Sequence, residues 1–436
     1  MPCKAKQTMM MQRHRQTLYI KILLALVLSA LLWKASQARS IRVKPGTSVP
    51  TIKAALAIAA HGDSILVEKG IYREQNIEVD KSVSLIGLNG ATLDGEGKYE
   101  IMTVKASYVL VEGFSFIGSG NSSYIDIAAL KFVGVHDVIA KNNRFTNAFF
   151  GIYCQNVQRG IVYGNTLVSN AKDEINSANG IHCWKSDSLQ ILRNNISGHR
   201  DGIYFEFVTQ TKIVGNNSFN NVRYGLHFMF SSYNEYYYNT FRDNGAGVAV
   251  MYSRNVTMLH NRFSENWGQA AYGILMKDIT DSEVRYNHFE RNTAGIFMEG
   301  SNRINMKSNH FDNNGWAIKI QASCTDNTIE ENNFTGNTFD IATNGSLVLN
   351  SFQGNYWDRY DGYDLNKDGV GDIPHRPVSM YSIIVERNPT TLMLFRSFMV
   401  ELMDKAERIM PGMTPEALRD NQPRMKKLPV KTLSRT

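Results

Sequence analysis

Residues 239–263 read NTFRDNGAGVAVMYSRNVTMLHNRF, and their spacing indicates the architecture of the whole chain. Asn239 and Asn261 stand 22 positions apart, and each is followed two residues later by Phe. Gly247-Val248 lies between them, and the remaining residues alternate apolar and polar in bursts of three to five. Such alternation predicts short β-strands and does not fit the period of a helix.

The same pattern recurs through the middle of the chain, at intervals of 22, 29, 23, 22, 22, 26, 22, 23 and 18 residues. Each unit is too short to bury an apolar face alone, so neighbouring units must stack. Three short strands in about 22 residues predict one coil of a right-handed parallel β-helix, an all-β solenoid. The Asn-x-apolar marks are Asn143-Arg-Phe145, Asn165-Thr-Leu167, Asn194-Asn-Ile196, Asn217-Ser-Phe219, Asn239-Thr-Phe241, Asn261-Arg-Phe263, Asn287-His-Phe289, Asn309-His-Phe311, Asn332-Asn-Phe334 and Asn350-Ser-Phe352.

A second mark, Gly followed by an apolar residue, keeps step with the first. The pattern predicts that Phe and Ile point into the lumen, while Asn and Gly mark the bends and the Asn amides form ladders between coils. Residues 49–60 predict a short amphipathic helix that caps the first coil. Residues 391–410 have helical spacing, and the chain beyond Pro411 is predicted to be extended. The Gly marks are Gly151-Ile152, Gly180-Ile181, Gly202-Ile203, Gly225-Leu226, Gly247-Val248, Gly273-Ile274 and Gly295-Ile296.

The positive charge of the chain is concentrated at its two ends. The 436 residues carry a formal net charge of +7, from 47 Lys+Arg and 40 Asp+Glu. Residues 1–38 contain six of these basic residues and no acidic one, followed by an apolar run and small residues. This order predicts a secretory signal peptide over 1–38 and hence an exported protein, and the apolar run is too short for a spanning helix.

The distribution of charge argues against a nucleic-acid partner. Residues 387–436 hold ten basic and five acidic residues, so the body at 39–386 is slightly acidic. A nucleic-acid-binding body would need a basic footprint. We therefore predict a signal peptide at 1–38, a β-helix at 39–386 and a helical and extended C-terminal arm at 387–436.

Alternation within each coil predicts which side chains face outward after each Gly. One outward column contains His182 and His227, and the next contains Glu206, Met229 and Met251. Members of one column on adjacent coils are about 4.8 Å apart, so they touch. Thioether and imidazole groups together suit cuprous copper, which makes His227, Met229 and Met251 candidate ligands, with His182 and Glu206 as neighbours.

Two other interpretations of this surface stay open. A patch of Met and aromatic side chains also suits the docking of another protein. Exposed aromatic side chains on the flank of a β-helix also suit the stacking of sugar rings. A polysaccharide lyase, hydrolase or epimerase would need clustered carboxylates with a base, whereas the outward columns offer only Glu206, Glu299 and Lys277 on scattered coils.

A separate acidic segment has the spacing of a calcium loop. Asp364, Asn366, Asp368 and Asp372 occupy oxygen-ligand positions, with Gly369 at the turn. His375 stands where the bidentate Glu of such a loop is expected. A structural calcium site and an Asx-rich turn are both consistent with this sequence.

Residues 354–377, GNYWDRYDGYDLNKDGVGDIPHRP, resemble the signature that closes the repeat array of the NosD family. NosD proteins are periplasmic and serve the maturation of nitrous oxide reductase. The resemblance implies a protein without catalysis of its own. It also implies a role in assembling the reductase's copper centres, with an ABC-type ATPase and permease and a lipoprotein copper chaperone.

The resemblance also suggests a role for the tail. The apolar face of residues 391–410 resembles a segment that docks on the permease and so associates the protein with the inner membrane, through Leu392, Phe395, Met399, Leu402 and Ile409. The basic residues beyond it suit anionic headgroups. A polysaccharide-modifying enzyme and a sulfur-delivery accessory remain the alternatives, although Cys154 and Cys183 are predicted to be buried.

Overall fold

A computed structural model describes residues 38–122, 124–174, 177–345, 349–409 and 418–429. All but the last residue of the predicted signal peptide lies outside this range. Three helices are described, α1 (Ile52–Ile58), α2 (Met380–Arg387) and α3 (Phe398–Ile409), with a 3₁₀ helix at Pro389–Leu394. Within the described residues, no helix has the length and apolar character needed to cross a membrane.

Three parallel sheets wind through the chain, and successive strands visit sheets A, B and C in turn. The predicted β-helix is therefore confirmed. Sheet A contains Ser40–Val43, Ser64–Val67, Ser84–Gly87, Leu110–Glu112, Ile139–Lys141, Ile161–Tyr163, Gln190–Leu192, Lys212–Val214, Glu235–Tyr237, Thr257–Leu259, Thr280–Arg285, Asn302–Lys307, Thr328–Glu330 and Ser351–Gln353. Sheet B contains Gly70–Tyr72, Ala91–Asp94, Ser115–Ile117, Arg144–Thr146, Thr166–Val168, Asn195–Ser197, Asn217–Phe219, Thr240–Arg242, Arg262–Ser264, His288–Glu290, His310–Asp312, Asn333–Thr335 and Tyr356–Trp357. Sheet C contains Ile77–Val79, Met102–Val104, Ala128–Val133, Phe150–Gln155, Ile181–Trp184, Asp201–Glu206, Tyr224–Met229, Ala246–Met251, Tyr272–Lys277, Ala294–Glu299, Trp316–Ile320 and Phe339–Thr343.

The lumen is filled by the apolar residues that the repeat predicts. Side chains of one column stack directly, with ring centroids 4.8 Å apart for Phe263 and Phe289 and 4.1 Å apart for Phe334 and Trp357. Helix α1 closes the first coil, and its N-cap Thr51 accepts a hydrogen bond from the Ala54 N–H. The capping helix is thus confirmed.

An asparagine ladder runs along the corner between sheets A and B. Each Asn amide donates to the next Asn, with Nδ2–Oδ1 distances of 3.0 to 3.1 Å. The residue before each ladder Asn, and not the Asn itself, has the left-handed backbone. The ladder consists of Asn143, Asn165, Asn194, Asn216, Asn239, Asn261, Asn287, Asn309, Asn332 and Asn355.

Two marks of the predicted repeat are therefore misplaced. Asn216 is in the ladder, whereas Asn217 begins a strand, and Phe219 lies outside the lumen beneath the guanidinium of Arg242. The last ladder Asn is Asn355, whereas Asn350 bonds Asn327 at another corner. Both errors arise because Asn also occupies positions beside the ladder and at the other corners.

Glycine in the Gly-apolar mark is required by close packing rather than by backbone conformation. A Cβ on Gly247 would lie 2.5 Å from the Gly273 carbonyl oxygen of the next coil. Gly247 does not have a positive φ. The neighbouring coil therefore leaves no room for a Cβ at Gly247.

The predicted C-terminal helix is confirmed as α3 (Phe398–Ile409), but it does not extend over the whole of residues 391–410. The 3₁₀ helix starts at Pro389, and the chain then breaks at Arg396, which has a φ of 63°. Ser397 accepts a hydrogen bond from the Val400 N–H at the start of α3. The apolar spacing continues through this break, which is why the sequence alone predicts one helix.

Candidate functional site

The outer face of sheet C carries the predicted copper-ligand candidates. Met229 and Met251 are direct partners on adjacent strands, and Glu206 is the partner of Met229 on the other side. His227 pairs with Tyr204 in the neighbouring column. The repeat spacing therefore predicts these adjacencies correctly.

The first outward column forms a continuous stack of rings. Centroid distances are 4.5 Å from Tyr153 to His182, 4.8 Å from His182 to Tyr204 and 4.9 Å from Tyr204 to His227. Tyr224 packs against His227 from the side, at 4.7 Å. The column is thus a continuous row of packed aromatic rings on the outside of the solenoid.

His227 is not at the surface, contrary to the exposed position that alternation predicts. His227 is only 4% exposed, and neither nitrogen of its ring has a hydrogen-bond partner. The ring is covered by Tyr204 and Tyr224, and the neighbouring Arg223 lies 3.6 Å from Glu174 of a loop at the corner between sheets B and C. Alternation gives the direction of a side chain but not what covers it.

A buried carboxylate that the sequence analysis did not single out lies beside His227. Asp201 is fully buried, and its Oδ2 is 3.6 Å from His227 Nδ1 and 3.8 Å from Arg200 Nε. Its Oδ1 is 3.9 Å from Arg223 Nε. In the sequence, Asp201 could have been noticed as a charged residue directly before a Gly-Ile mark of the repeat. The two guanidinium groups compensate this carboxylate and make the interior side of His227 unfavourable for an added cation.

His182 does not join His227 in one site. They are two coils apart, which is about 10 Å along the solenoid. Asn179 Nδ2 lies 2.9 Å from His182 Nδ1, and burial lowers the pKa of His182 to about 3, so its ring is neutral near pH 7.

The second outward column is partly accessible. Met229, Met251 and Glu206 are half-buried, and the side chains that follow them at the corner are exposed. Those corner residues are Phe207, Phe230 and Tyr252, all in the left-handed backbone region, with rings stacked at 5.4 and 5.0 Å. The thioether pair is therefore bordered by an exposed aromatic edge.

The central ring of this aromatic edge, Phe230, does not offer a free face for a sugar ring. Phe230 is 45% exposed, but both of its faces are covered by Phe207 and Tyr252, so its edge is what meets solvent. Stacking of a sugar requires a free aromatic face. At Phe230 the geometry therefore favours a contact with an apolar protein surface over the stacking of a sugar ring.

The donor set on sheet C fits a soft metal ion and not a hard one. Across the described part of the chain, no group of three or more His, Cys, Asp or Glu side chains converges as a metal site. Two adjacent thioethers with a nearby imidazole are soft ligands of the kind that Cu(I) prefers. Glu206 on the next coil supplies the nearest carboxylate to Met229 in that column.

The acidic loop at 364–372 folds as an Asx-rich turn. Asp364 accepts hydrogen bonds from the Asp368 and Gly369 N–H groups, and Asp372 accepts one from the Leu365 N–H. Asn366 and Asp368 bond each other at 3.1 Å. These oxygens are used within the loop, and calcium binding by Asp364, Asn366, Asp368 and Asp372 stays a prediction.

The helical arm, residues 389–409, exposes a cluster of apolar side chains. Four of the predicted docking residues, Leu392, Phe395, Met399 and Leu402, are exposed, and the side chain of Ile409 is outside the described part. The sequence analysis did not single out Met393 and Phe398, which are 88% and 77% exposed. Both could have been found in the sequence, because the apolar run continues between the predicted positions.

The fold and the outer face of sheet C define a class of protein. They are those of a parallel β-helix protein that carries soft donor side chains on the outside of one sheet. The NosD family model, described as a periplasmic copper-binding protein, matches residues 171–362. Residues 171–362 are thus similar to the NosD family, and the resemblance to NosD is confirmed.

Two curated proteins extend the similarity over most of the chain. The probable ABC transporter binding protein NosD of Stutzerimonas stutzeri is 29% identical over 384 residues, which cover 84% of this chain and 87% of that protein. The protein of the same name from Pseudomonas aeruginosa is 27% identical over 370 residues, covering 80% of this chain and 86% of that protein.

Solved structures share the solenoid at low sequence identity. The catalytic domain of a GH87 α-1,3-glucanase has a TM-score of 0.59 at 12% identity, over 73% of this chain and 69% of that one. PfbA, a surface adhesin of Streptococcus pneumoniae, has a TM-score of 0.54 at 12% identity, over 72% and 90%. These likenesses concern the fold alone.

Proposed function

We propose that the protein is a non-catalytic periplasmic subunit of an ABC-type complex that serves assembly of the copper centres of nitrous oxide reductase. Its partners in this role are the permease and ATPase, a copper chaperone lipoprotein and the apo-reductase. Support comes from the copper-binding description of the matched family and the ABC-transporter names of the two relatives. The signature at 354–377 connects the chain to reductase maturation only through the family resemblance.

Copper is the cargo in this proposal, and the Met229–Met251 pair is its contact point. The observation that carries the assignment is the register of sheet C, which makes the two half-buried thioethers direct neighbours. His227 lies two residues along the same strand and offers an imidazole with no hydrogen-bond partner. Reaching it requires movement of the Tyr204 and Tyr224 rings that cover it.

The Met pair can be tested by a double substitution, Met229→Ala with Met251→Ala. We expect Cu(I) affinity, measured by competition with a chromophoric chelator, to fall about tenfold or more, because both soft donors are lost. Copper loading of the reductase, measured by metal analysis, should fall with it.

Met393→Ala is the control for Cu(I) affinity, since it removes a thioether that lies on the helical arm and is more exposed than either Met of the pair. Unchanged affinity in the double variant would reject the Met pair as a copper site. It would leave the surface as a protein-docking patch.

The two alternative functions have less support. Glu206 is the carboxylate that an enzyme on this face would use, and its neighbours in the register are Trp184 and Met229 instead of a second acid. For sulfur delivery a thiol must be reachable, whereas Cys154, Cys183 and Cys324 are free and buried. Burial raises the pKa of the Cys183 and Cys324 thiols, which disfavours the reactive thiolate.

We further propose that the helical arm docks on the permease through its exposed apolar side chains. Phe398→Ser with Leu402→Ser should lower retention of the protein in the inner-membrane fraction about tenfold, because two exposed apolar anchors are removed. Fractionation followed by immunoblotting measures the effect.

Trp267→Ser provides the comparison, since Trp267 is a large exposed side chain on a loop of the solenoid. It should leave membrane retention unchanged. Equal retention of both variants would reject docking through the arm.

A further inference from the structure

Residues 418–429, here called the clip, return to the last coil after the helical arm. Asp420 forms a parallel bridge with Phe352, and Arg424 forms one with Tyr356. On the other side, Asp420 pairs with His375 and Arg424 with Val370 in antiparallel bridges. The clip is therefore inserted between the last coil and the loop that follows it.

Asp420 occupies the position of the next asparagine in the ladder. Its Oδ2 accepts hydrogen bonds from the Asn355 N–H at 2.9 Å and from Asn355 Nδ2 at 3.0 Å, as each ladder Asn does for the Asn before it. The same oxygen accepts from Trp357 Nε1 at 3.1 Å. The Asp420 side chain is thus the final rung of the ladder.

A carboxylate is required at this rung. Its other oxygen, Oδ1, accepts from the Gly354 and Gln422 N–H groups, both at 3.0 Å, so five donors converge on two oxygens. An Asn at position 420 would place an NH₂ group against two or three of these donors. Asn is therefore not a conservative replacement here, although it is the residue at every other rung.

The far end of the clip is attached to sheet B. Leu428 exchanges two hydrogen bonds with the side chain of Asn333, at 2.8 and 3.0 Å. Lys427 lies 3.3 Å from Asp312, which also bonds His288 at 2.8 Å. The clip is thus fixed at both ends.

The helical arm lies against the last coil and near the clip. Before the clip, Tyr381 and Val385 of α2 and Val400 of α3 pack on Phe339 in a small apolar cluster. Lys319 of sheet C lies 2.8 Å from Glu386 of α2. Arg419 of the clip lines one cavity together with Phe395 and Val400 of the arm, so the clip supplies a second point of contact that fixes the arm's direction.

We propose that Asp420 is a positioning residue that orients the docking face of the helical arm relative to the Met pair on sheet C. The proposal rests on the proposed function only for its consequence, the delivery of copper. Between Met251 and the clip the asparagine ladder passes through Asn261, Asn287, Asn309, Asn332 and Asn355 to Asp420. An arm docked on a membrane partner therefore holds the solenoid, and with it the Met pair, at a defined angle.

The test is an intramolecular distance measurement on the full chain. Spin labels at Gln190→Cys on sheet A and Glu401→Cys on α3 report the angle between solenoid and arm, since both positions are exposed. Pulsed electron paramagnetic resonance should give a narrow distance distribution for the parent. Asp420→Asn should broaden it at least about twofold while circular dichroism stays that of a folded solenoid.

Lys427→Glu is a second variant, because it places a carboxylate against Asp312 and loosens the clip without touching the last coil. We expect a similar broadening from it. Asn216→Ala, a ladder substitution far from the clip, should lower stability without broadening the distribution.

In cells, Asp420→Asn should keep membrane retention within about twofold, because the apolar face is intact, and lower copper loading of the reductase about tenfold. An unchanged distance distribution in both clip variants would overturn the positioning role. Broadened distance distributions with normal copper loading would mean that the clip orients the arm but has no part in copper delivery. If the unsubstituted protein neither docks nor loads copper, the proposed function fails, while the distance measurement still decides the role of Asp420 in orienting the arm.

Discussion

Asn216→Ala should lower the free energy of unfolding by about 3 kcal/mol, whereas Asn217→Ala, one residue further, should cost less than about 1 kcal/mol. Asn216 is 1% exposed, and its amide donates to Ile191 O and Asn239 Oδ1. Its Oδ1 accepts from both the N–H and the Nδ2 of Asn194. Truncation leaves several of these buried groups without partners, and that loss sets the size of the effect.

Asn217 makes a single side-chain hydrogen bond, to Asn195 on the outer face of sheet B. The two variants differ by one position and carry the same substitution, so each controls for the other. Urea unfolding followed by tryptophan fluorescence measures the difference. Equal destabilisation by both would contradict the assignment of the ladder to Asn216.

Asp340→Asn should change how stability depends on pH. Burial raises the pKa of Asp340 from 3.8 to about 7. Between these two values the folded protein holds a proton that the unfolded chain has lost, so the free energy of unfolding falls as pH rises from about 4 to about 7. Above that range the penalty is constant, at about 4 kcal/mol.

Asn at position 340 has no charge to bury and can still accept the hydrogen bond that Asn337 Nδ2 donates. The variant should therefore be more stable than the parent at pH 8 by about 4 kcal/mol and nearly equal to it at pH 4. Denaturant midpoints at these two pH values measure the effect. Asp278→Asn, at an exposed corner, is the control for this substitution. If Asp340→Asn left the dependence of stability on pH as it is in the parent, a buried charge at Asp340 would be ruled out.

Much of the solenoid can be predicted from the sequence because each coil repeats the same local requirements. The inward Phe column and the outward register of Met229 and Met251 both follow from spacing. The errors at Asn217 and Asn350 have a common cause: Asn also serves other corners, and Ser218 replaces the expected Phe in one coil. Spacing cannot separate adjacent Asn residues when the apolar mark is missing.

The candidate site was harder to predict, because burial of an outward side chain depends on residues distant in sequence. Alternation correctly directs His227 outward, but Tyr204 and Tyr224 cover it. Asp420 lies 65 residues after Asn355, the residue whose ladder it completes. Nothing local to a polar, basic tail indicates such a contact, since it forms only when the chain returns to the last coil.

The asparagine ladder also restricts how the distance between the Met pair and the arm can vary. Each ladder Asn must form a hydrogen bond with the ladder residue of the next coil. Residues can therefore be added within a corner loop or as a whole coil, but not within a strand. The long intervals show the first route: the segments at 169–180 and 265–271 are both placed between sheets B and C. The distance from Met251 to the clip can therefore change only by whole coils, in steps of about 4.8 Å. Each added coil also rotates the clip about the solenoid axis. A relative that gained or lost one coil there would hold its Met pair at a different distance from the helical arm.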